Sequence, residues 1–333
     1  METGPQRARV GTFDLYRTAR SGLLWSMGFA LLFGIALYYV STFGSFDQIQ
    51  AIGGWTIAAV LGLSLLNYLL RSIRWQIFCR TARIHIPFHT NLIYYVAGFA
   101  FATTPGKVGE VLRLWLLNKN HGAAYSRTLS FLIMDRLMDA VPLAILCVFG
   151  IAQFADHLWL MVAFIAVMIG VVVLLQRPNL LVMLVKLTYA RVGRNPRLFA
   201  RGLRLVRTLR LLTGPYVFTM ALLLGCAGWS AEVVGSWLVL NAIGADIDLA
   251  ATAFVFCAGM IVGSLPIFPG GLGGTEGAMV ALLLVRGVDL GVAVTATAII
   301  RLATLGFAVV LGFLALLYLG VRRSWRPAAS PAA

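Results

Sequence analysis

Charge is scarce in this chain, and acid is scarcer still. Only 12% of the 333 residues are charged, with 12 Asp and Glu against 27 Lys and Arg, while 60% are hydrophobic. A soluble domain normally carries about 25% charged residues, so this composition excludes one. Cysteine is also sparse. Cys79, Cys147, Cys226 and Cys257 stand apart, mostly in apolar segments, and no CxxC occurs. That excludes a disulfide framework and a thiolate metal site, and leaves the four as small buried hydrophobes. The histidines, His85, His89, His121 and His157, have no ligand spacing, so nothing implies a metal or any other cofactor. A Walker A motif is missing, which excludes direct drive by ATP.

What the chain does have is a series of apolar windows, each about 20 residues long and able to span a bilayer. The expected fold is an all-α polytopic membrane protein, with six transmembrane helices plus two re-entrant helical hairpins arranged as an inverted repeat. A basic cytoplasmic amino terminus, 1–22, precedes a single transmembrane domain, 23–320, and a cytoplasmic tail, 321–333. The first apolar run reads as an uncleaved span, not a signal peptide. Spans are expected at 23–40, 55–70, 129–151, 159–175, 216–240 and 292–319. The hairpins fall within 88–117 and 250–285. The repeat halves are 55–151 and 216–319. Between them, 177–212 is strongly basic, and Leu203, Val206 and Leu209 recur at helical spacing, as in an amphipathic surface helix on the inner leaflet.

The net charge of +15 gathers between apolar segments. That placement fits the positive-inside rule and contact with anionic membrane lipids; nucleic acid is not a partner. Arg71 and Arg74 read as anchors in a cytoplasmic loop, with Trp75 at interfacial depth. Glu232 reads as facing a polar bundle interior without an assigned role. The basic loops place both termini in the cytoplasm.

Two stretches interrupt the apolar pattern. One is Thr103-Thr104-Pro105-Gly106-Lys107-Val108-Gly109-Glu110. The other runs from Pro266 through Pro269-Gly270-Gly271-Leu272-Gly273-Gly274-Thr275-Glu276. Broken backbone at membrane depth is tolerated only where protein surrounds it or a wet cavity adjoins it. The breaks also correspond. Pro105 and Pro269 lie 269 − 105 = 164 apart, Glu110 and Glu276 lie 276 − 110 = 166 apart, and Arg136 and Arg301 lie 301 − 136 = 165 apart. Paired breaks in two oppositely inserted halves point to a midplane site.

Pro105 suits the first turn of a new helix, and Thr275 suits a helix cap. Helix amino ends aimed inward carry free N–H groups and partial positive charge, which attract an anion; in a membrane that anion is a lipid phosphate. Lys107, Arg113, Arg136 and Arg301 are assigned to phosphate attraction. Gly106, Gly109, Gly270, Gly271 and Gly273 let backbone approach the ligand. Glu110, Asp135, Asp139 and Glu276 orient those bases or take up protons. No catalytic residue is assigned. A structural reading of Arg136, paired with Asp135 or Asp139, stands beside the functional one.

These motifs resemble the membrane domain of bacterial lysylphosphatidylglycerol synthases, a domain also found alone as a flippase-like family. The residues that carry the resemblance are Pro105-Gly106-Lys107-Val108-Gly109-Glu110 with Arg113, Asp135-Arg136 with Asp139, and Pro269-Gly270-Gly271-Leu272-Gly273 with Glu276. The resemblance covers roughly 23–319. Two departures keep charge: members commonly have Arg where Lys107 stands and Glu where Asp135 stands. It implies lipid translocation between leaflets without lysyl transfer, because the soluble aminoacyl-transfer domain of the full-length synthases has no room here. The leading expectation is a non-enzymatic flippase for a phosphate-bearing lipid, either a phospholipid or a polyprenyl-phosphate-linked sugar. The rivals are an integral-membrane transferase acting on a lipid phosphate and a scaffold for a separate lipid-modifying enzyme, which would then be a partner.

Overall fold

The computed structural model describes residues 52–104, 108–150, 196–265 and 271–321, with four isolated positions between 151 and 195. The expected spans at 23–40 and 159–175, most of 177–195 and the tail lie outside the described residues. So do Pro105, Gly106, Lys107, Pro269 and Gly270. All regular structure among the described residues is helical.

Helix α1, Gly54–Thr81, runs well past residue 70. It therefore contains the arginines expected in a loop, and this expectation is corrected. Arginine at the end of an apolar run looks like an anchor. Here, however, Ser64, Asn67, Arg71 and Arg74 form a polar stripe at helical spacing that neighbouring helices cover. Trp75 is likewise buried, edge-on to Phe131, and not interfacial.

Helix α2, Phe88–Ala97, tightens into a 3-10 turn at Gly98–Phe101, and after the break α3 spans Val108–His121. Helix α4, Tyr125–Gly150, completes the first half. Helix α5, Pro196–Leu212, buries Val206, Leu209 and Leu212 and exposes Arg204, Arg207 and Arg210. It packs on α4, and Ser130 Oγ donates to Leu205 O at 3.1 Å. The amphipathic expectation holds, but protein covers much of its apolar face.

The second half repeats the plan. Helix α6, Pro215–Ala242, matches α1 at 28 residues each. Helices α7, Leu249–Gly263, and α8, Gly274–Val285, flank the second break. Helix α9, Leu290–Arg301, passes through a π turn at Leu302–Gly306 into α10, Phe307–Val321. Asp248 and Asp289 start α7 and α9 by accepting from Ala251 N and Gly291 N, each at 2.8 Å. Among the described residues three stretches are long and apolar enough to cross a membrane: Gly54–Thr81, Pro215–Ala242 and Leu290–Gly320.

The halves interlock. Helix α1 packs along α6. The last helix of each half braces the broken pair of the other: α10 lies on α2 and its 3-10 turn, and α4 lies on α7. Both crossings are so close that only glycine fits. A methyl at Gly312 would stand 2.1 Å from Ala100 N, and one at Gly150 would stand 2.1 Å from Ala250 O. This exchange ties the helices flanking each break to the other half. The four cysteines are free; three are buried and Cys226 is half-buried.

Candidate functional site

In the first half, α1 and α4 meet through charge. Asp135 and Asp139 lie one turn apart on α4 and face Arg71 and Arg74 on α1. Arg74 is wholly buried. Its Nε and Nη2 donate to Asp135 Oδ1 at 3.0 and 2.5 Å, its Nη2 to Asp139 Oδ1 at 2.7 Å, and its Nη1 to Met138 O at 2.6 Å. Arg71 Nη2 donates to Asp139 Oδ2 at 2.5 Å. Glu110, in the first turn of α3, pairs with Arg136 of α4. Arg113 leaves Glu110 alone despite its i, i+3 spacing. Its guanidinium lies over Tyr95 at 3.8 Å and Phe99 at 5.2 Å from the ring centroids and reaches Asp135 Oδ2 at 3.9 Å.

The second half carries fewer charges. Arg301 Nε donates to Glu276 Oε1 at 2.6 Å. Glu276 Oε2 in turn accepts from Gly273 N at 2.8 Å, where Gly273 holds φ at 80° and caps α8. Thr275 is therefore not the cap, which corrects the expectation. It sits inside the first turn, buried, with its hydroxyl filling the space a side chain at Gly263 would need. Glu232 of α6 accepts from Ser64 Oγ at 3.0 Å and Asn67 Nδ2 at 2.8 Å.

The repeat extends to contacts. Glu110–Arg136 and Glu276–Arg301 are the same ion pair at the sequence offsets given above. Both join the helix after a break to the last helix of its own half. Gly98 and Gly259 are a second equivalent pair. A methyl at Gly98 would stand 2.5 Å from Arg113 Nε, and one at Gly259 would stand 2.5 Å from Met279 Cγ. Arg113 and Met279 thus occupy one position in two copies.

Between the halves lies a cavity of about 410 Å³. Gly109 and Glu110 line it from the first break, and Gly271 and Thr275 from the second. Arg71, Arg113, Arg136 and Arg301 also line it, together with Asp139, Trp229 and Glu232. Of the residues assigned from sequence, Gly109, Arg113, Arg136, Gly271, Arg301, Glu110 and Asp139 converge here. Asp135, Glu276 and Gly273 stand behind them as partners, and Gly106, Lys107 and Gly270 lie outside the described residues. The carboxylates Glu110, Asp135, Asp139 and Glu276 each lie within ion-pair reach of an arginine. Arg71, Arg74 and Glu232 belong to the site and were not assigned to it. The signal that could have found Arg71 and Arg74 is the polar stripe of α1.

Four donors on cavity-lining residues have no partner: Arg71 Nε, Arg113 Nε, Arg301 Nη2 and Trp229 Nε1. A buried unsatisfied donor costs about 1–3 kcal/mol, more if charged. In formal charge the described site is balanced: Arg71, Arg74, Arg113, Arg136 and Arg301 oppose Glu110, Asp135, Asp139, Glu232 and Glu276. The first half holds one net positive charge and the second one net negative.

Two interlocked helical halves around a charged cavity, with three stretches long and apolar enough to cross a bilayer, define a helical membrane protein. The chain belongs to the family described as lysylphosphatidylglycerol synthase TM region, which matches residues 21–312. It is similar to a UPF0104 membrane protein of Methanothermobacter thermautotrophicus, with 27% identity over 75% of this chain and 81% of the relative. A second relative, a UPF0104 membrane protein of Pyrococcus horikoshii, shows 22% identity over 74% of this chain and 82% of its own length.

Proposed function

We propose that this protein moves a phosphate-bearing lipid between leaflets of the cytoplasmic membrane, with no chemical change to it. In this reading six spans surround two re-entrant hairpins inserted from opposite faces, and both termini are cytoplasmic. The head group passes through the cavity while its acyl or prenyl chains stay in lipid. The observation that carries the reading is the convergence of residues flanking both breaks on one cavity with four unpartnered donors, three of them on arginines, against one unpartnered acceptor, Asn67 Oδ1. A phosphate supplies the acceptors that Arg71, Arg113 and Arg301 lack, and guanidinium groups suit its oxygens. The first turns of α3 and α8 add backbone N–H groups at the same cavity. Glu110 and Glu276 fix Arg136 and Arg301 so that little side-chain entropy is lost on binding.

The test is transport in reconstituted vesicles with fluorescently labelled phosphatidylglycerol, read by quenching of the outer leaflet. Wild type exceeds protein-free vesicles. Arg301→Met slows transport by about tenfold or more, the cost of one charge-assisted hydrogen bond. Equal rates for wild type, Arg301→Met and empty vesicles would remove the proposal.

A further inference from the structure

Glu232 is the exception among the acids of the site. Each of the other four carboxylates lies within 4.0 Å of an arginine. Glu232, 3% exposed, touches only the neutral donors Ser64 Oγ and Asn67 Nδ2. The guanidinium groups of Arg71 and Arg301 act on it across the cavity without forming an ion pair. The other titratable groups lining the cavity are Tyr68 from α1, Glu110 and Arg113 from α3, and Arg136 and Asp139 from α4. Helix α7 contributes no charged residue.

The formal balance of the site matters here. Among the described residues five guanidinium groups face five carboxylates, so a singly charged phosphodiester entering the cavity adds one negative charge to a balanced set. Uncompensated charge in a low-dielectric interior is costly. Neutralising Glu110, Asp135, Asp139 or Glu276 would strip an arginine of its counter-charge. Neutralising Glu232 breaks no ion pair.

The neighbours of Glu232 are also built for either protonation state. The Ser64 hydroxyl donates to a carboxylate and can rotate to accept from a carboxylic acid. Asn67 donates through Nδ2 while its buried Oδ1 has no partner. Turning the amide over presents that oxygen as an acceptor for a proton on Glu232.

We infer that Glu232 is a proton-binding site, and that each phosphodiester head group occupying the cavity is accompanied by one proton bound there. The proton comes from water on the side where the head group enters and returns to water when it leaves, so lipid and proton move together. This rests on the lipid-anion reading above.

The experiment is calorimetric titration of the full chain in micelles with short-chain phosphatidylglycerol, in two buffers of different ionisation enthalpy. The difference in heat counts protons taken up per lipid bound. Wild type takes up one, and Glu232→Gln binds with loss of that uptake, whereas Asp246→Asn, at an exposed acid that does not line the cavity, retains it. Binding by wild type without uptake, or uptake persisting in Glu232→Gln, overturns the inference and leaves the transport reading standing. No binding by wild type overturns both. A wild-type count of zero overturns the inference whether or not a variant folds.

Discussion

The two halves share a scaffold and differ in chemistry. Their opening helices have the same length, their breaks flank the same cavity, and each carries one glutamate–arginine pair at the equivalent place. Beyond that pair they diverge. The opening helices align at 215 − 54 = 161 residues, which sets Arg71 against Glu232 and Arg74 against Gly235. At the offset of the last helices, Asp135 and Asp139 oppose Ile300 and Thr304. The same opening-helix offset sets Asn67 against Gly228. A methyl at Gly228 would stand 2.7 Å from Asn67 Oδ1, so equivalent positions meet where α1 crosses α6, as an approximate two-fold requires. Charge kept in both halves belongs to the scaffold that holds an arginine beside each break. Charge found in one half only makes the two sides unlike, with a buried arginine–aspartate cluster in the first and a glutamate held by neutral donors in the second.

The largest effect follows from breaking the buried cluster unique to the first half. Arg74→Ala leaves Asp135 without its strongest partner and Asp139 with only Arg71 and a 4.0 Å contact to Arg136. Removing one partner of a buried pair costs about 3–5 kcal/mol, and thermal unfolding in detergent would show it as a large drop in midpoint. Adding Asp135→Ile, the residue at the second-half position, recovers part of that loss, because apolar replacement of a buried pair is often neutral. No recovery would mean that Asp135 has a structural role beyond its pair.

A smaller effect separates the two glycine crossings. Alanine at Gly98 meets Gly109 O at 2.8 Å as well as Arg113, and backbone cannot swing aside. Overpacking of this kind costs about 1–3 kcal/mol. Alanine at Gly259 meets Met279 Cγ at 2.5 Å and Thr275 O only at 3.3 Å. Methionine adapts readily, and the helix gains about 1 kcal/mol of propensity. Gly98→Ala is therefore the more destabilising of the two in the same melting experiment. The reverse order would show that the second-half crossing is the stiffer.

Much of this plan is readable from the chain, and the part that is not has a physical cause. The breaks are visible because Pro and Gly rarely interrupt apolar runs without reason, and their common offset survives in sequence. Partner choice is invisible. Glu110 and Arg113 sit on one face of α3, yet Glu110 reaches Arg136 across a helix crossing while Arg113 turns onto Tyr95. Spacing along one helix cannot specify which neighbour comes closer. Arg71 and Arg74 were misplaced because the positive-inside rule counts basic residues at the end of an apolar run. Their compensating acids lie more than sixty residues away on α4. Glu232 had no charged neighbour in sequence to suggest a role, and its significance depends on lacking one in space as well.

The smallest expected change in stability carries the sharpest test of the comparison. Arg113→Met copies into the first half what the second half already has at that place. Met279 fills the space over Gly259 as Arg113 fills the space over Gly98. The aromatic surround of Tyr95, Phe99 and Trp75 accepts a thioether. Asp135 keeps its bonds from Arg74, so the 3.9 Å contact to Arg113 is the one it loses. The melting midpoint should then fall by no more than a volume-conserving core swap causes, about 1.5 kcal/mol or less. Lipid transport should nonetheless drop by about tenfold or more, because one of the cavity's cations with an unpartnered donor is gone. Transport unchanged alongside an unchanged midpoint would show Arg113 to be scaffold, and the difference between the halves would then teach nothing about the ligand. A collapsed midpoint would instead show that the equivalence of Arg113 and Met279 stops at geometry, because the aromatic cluster needs the cation.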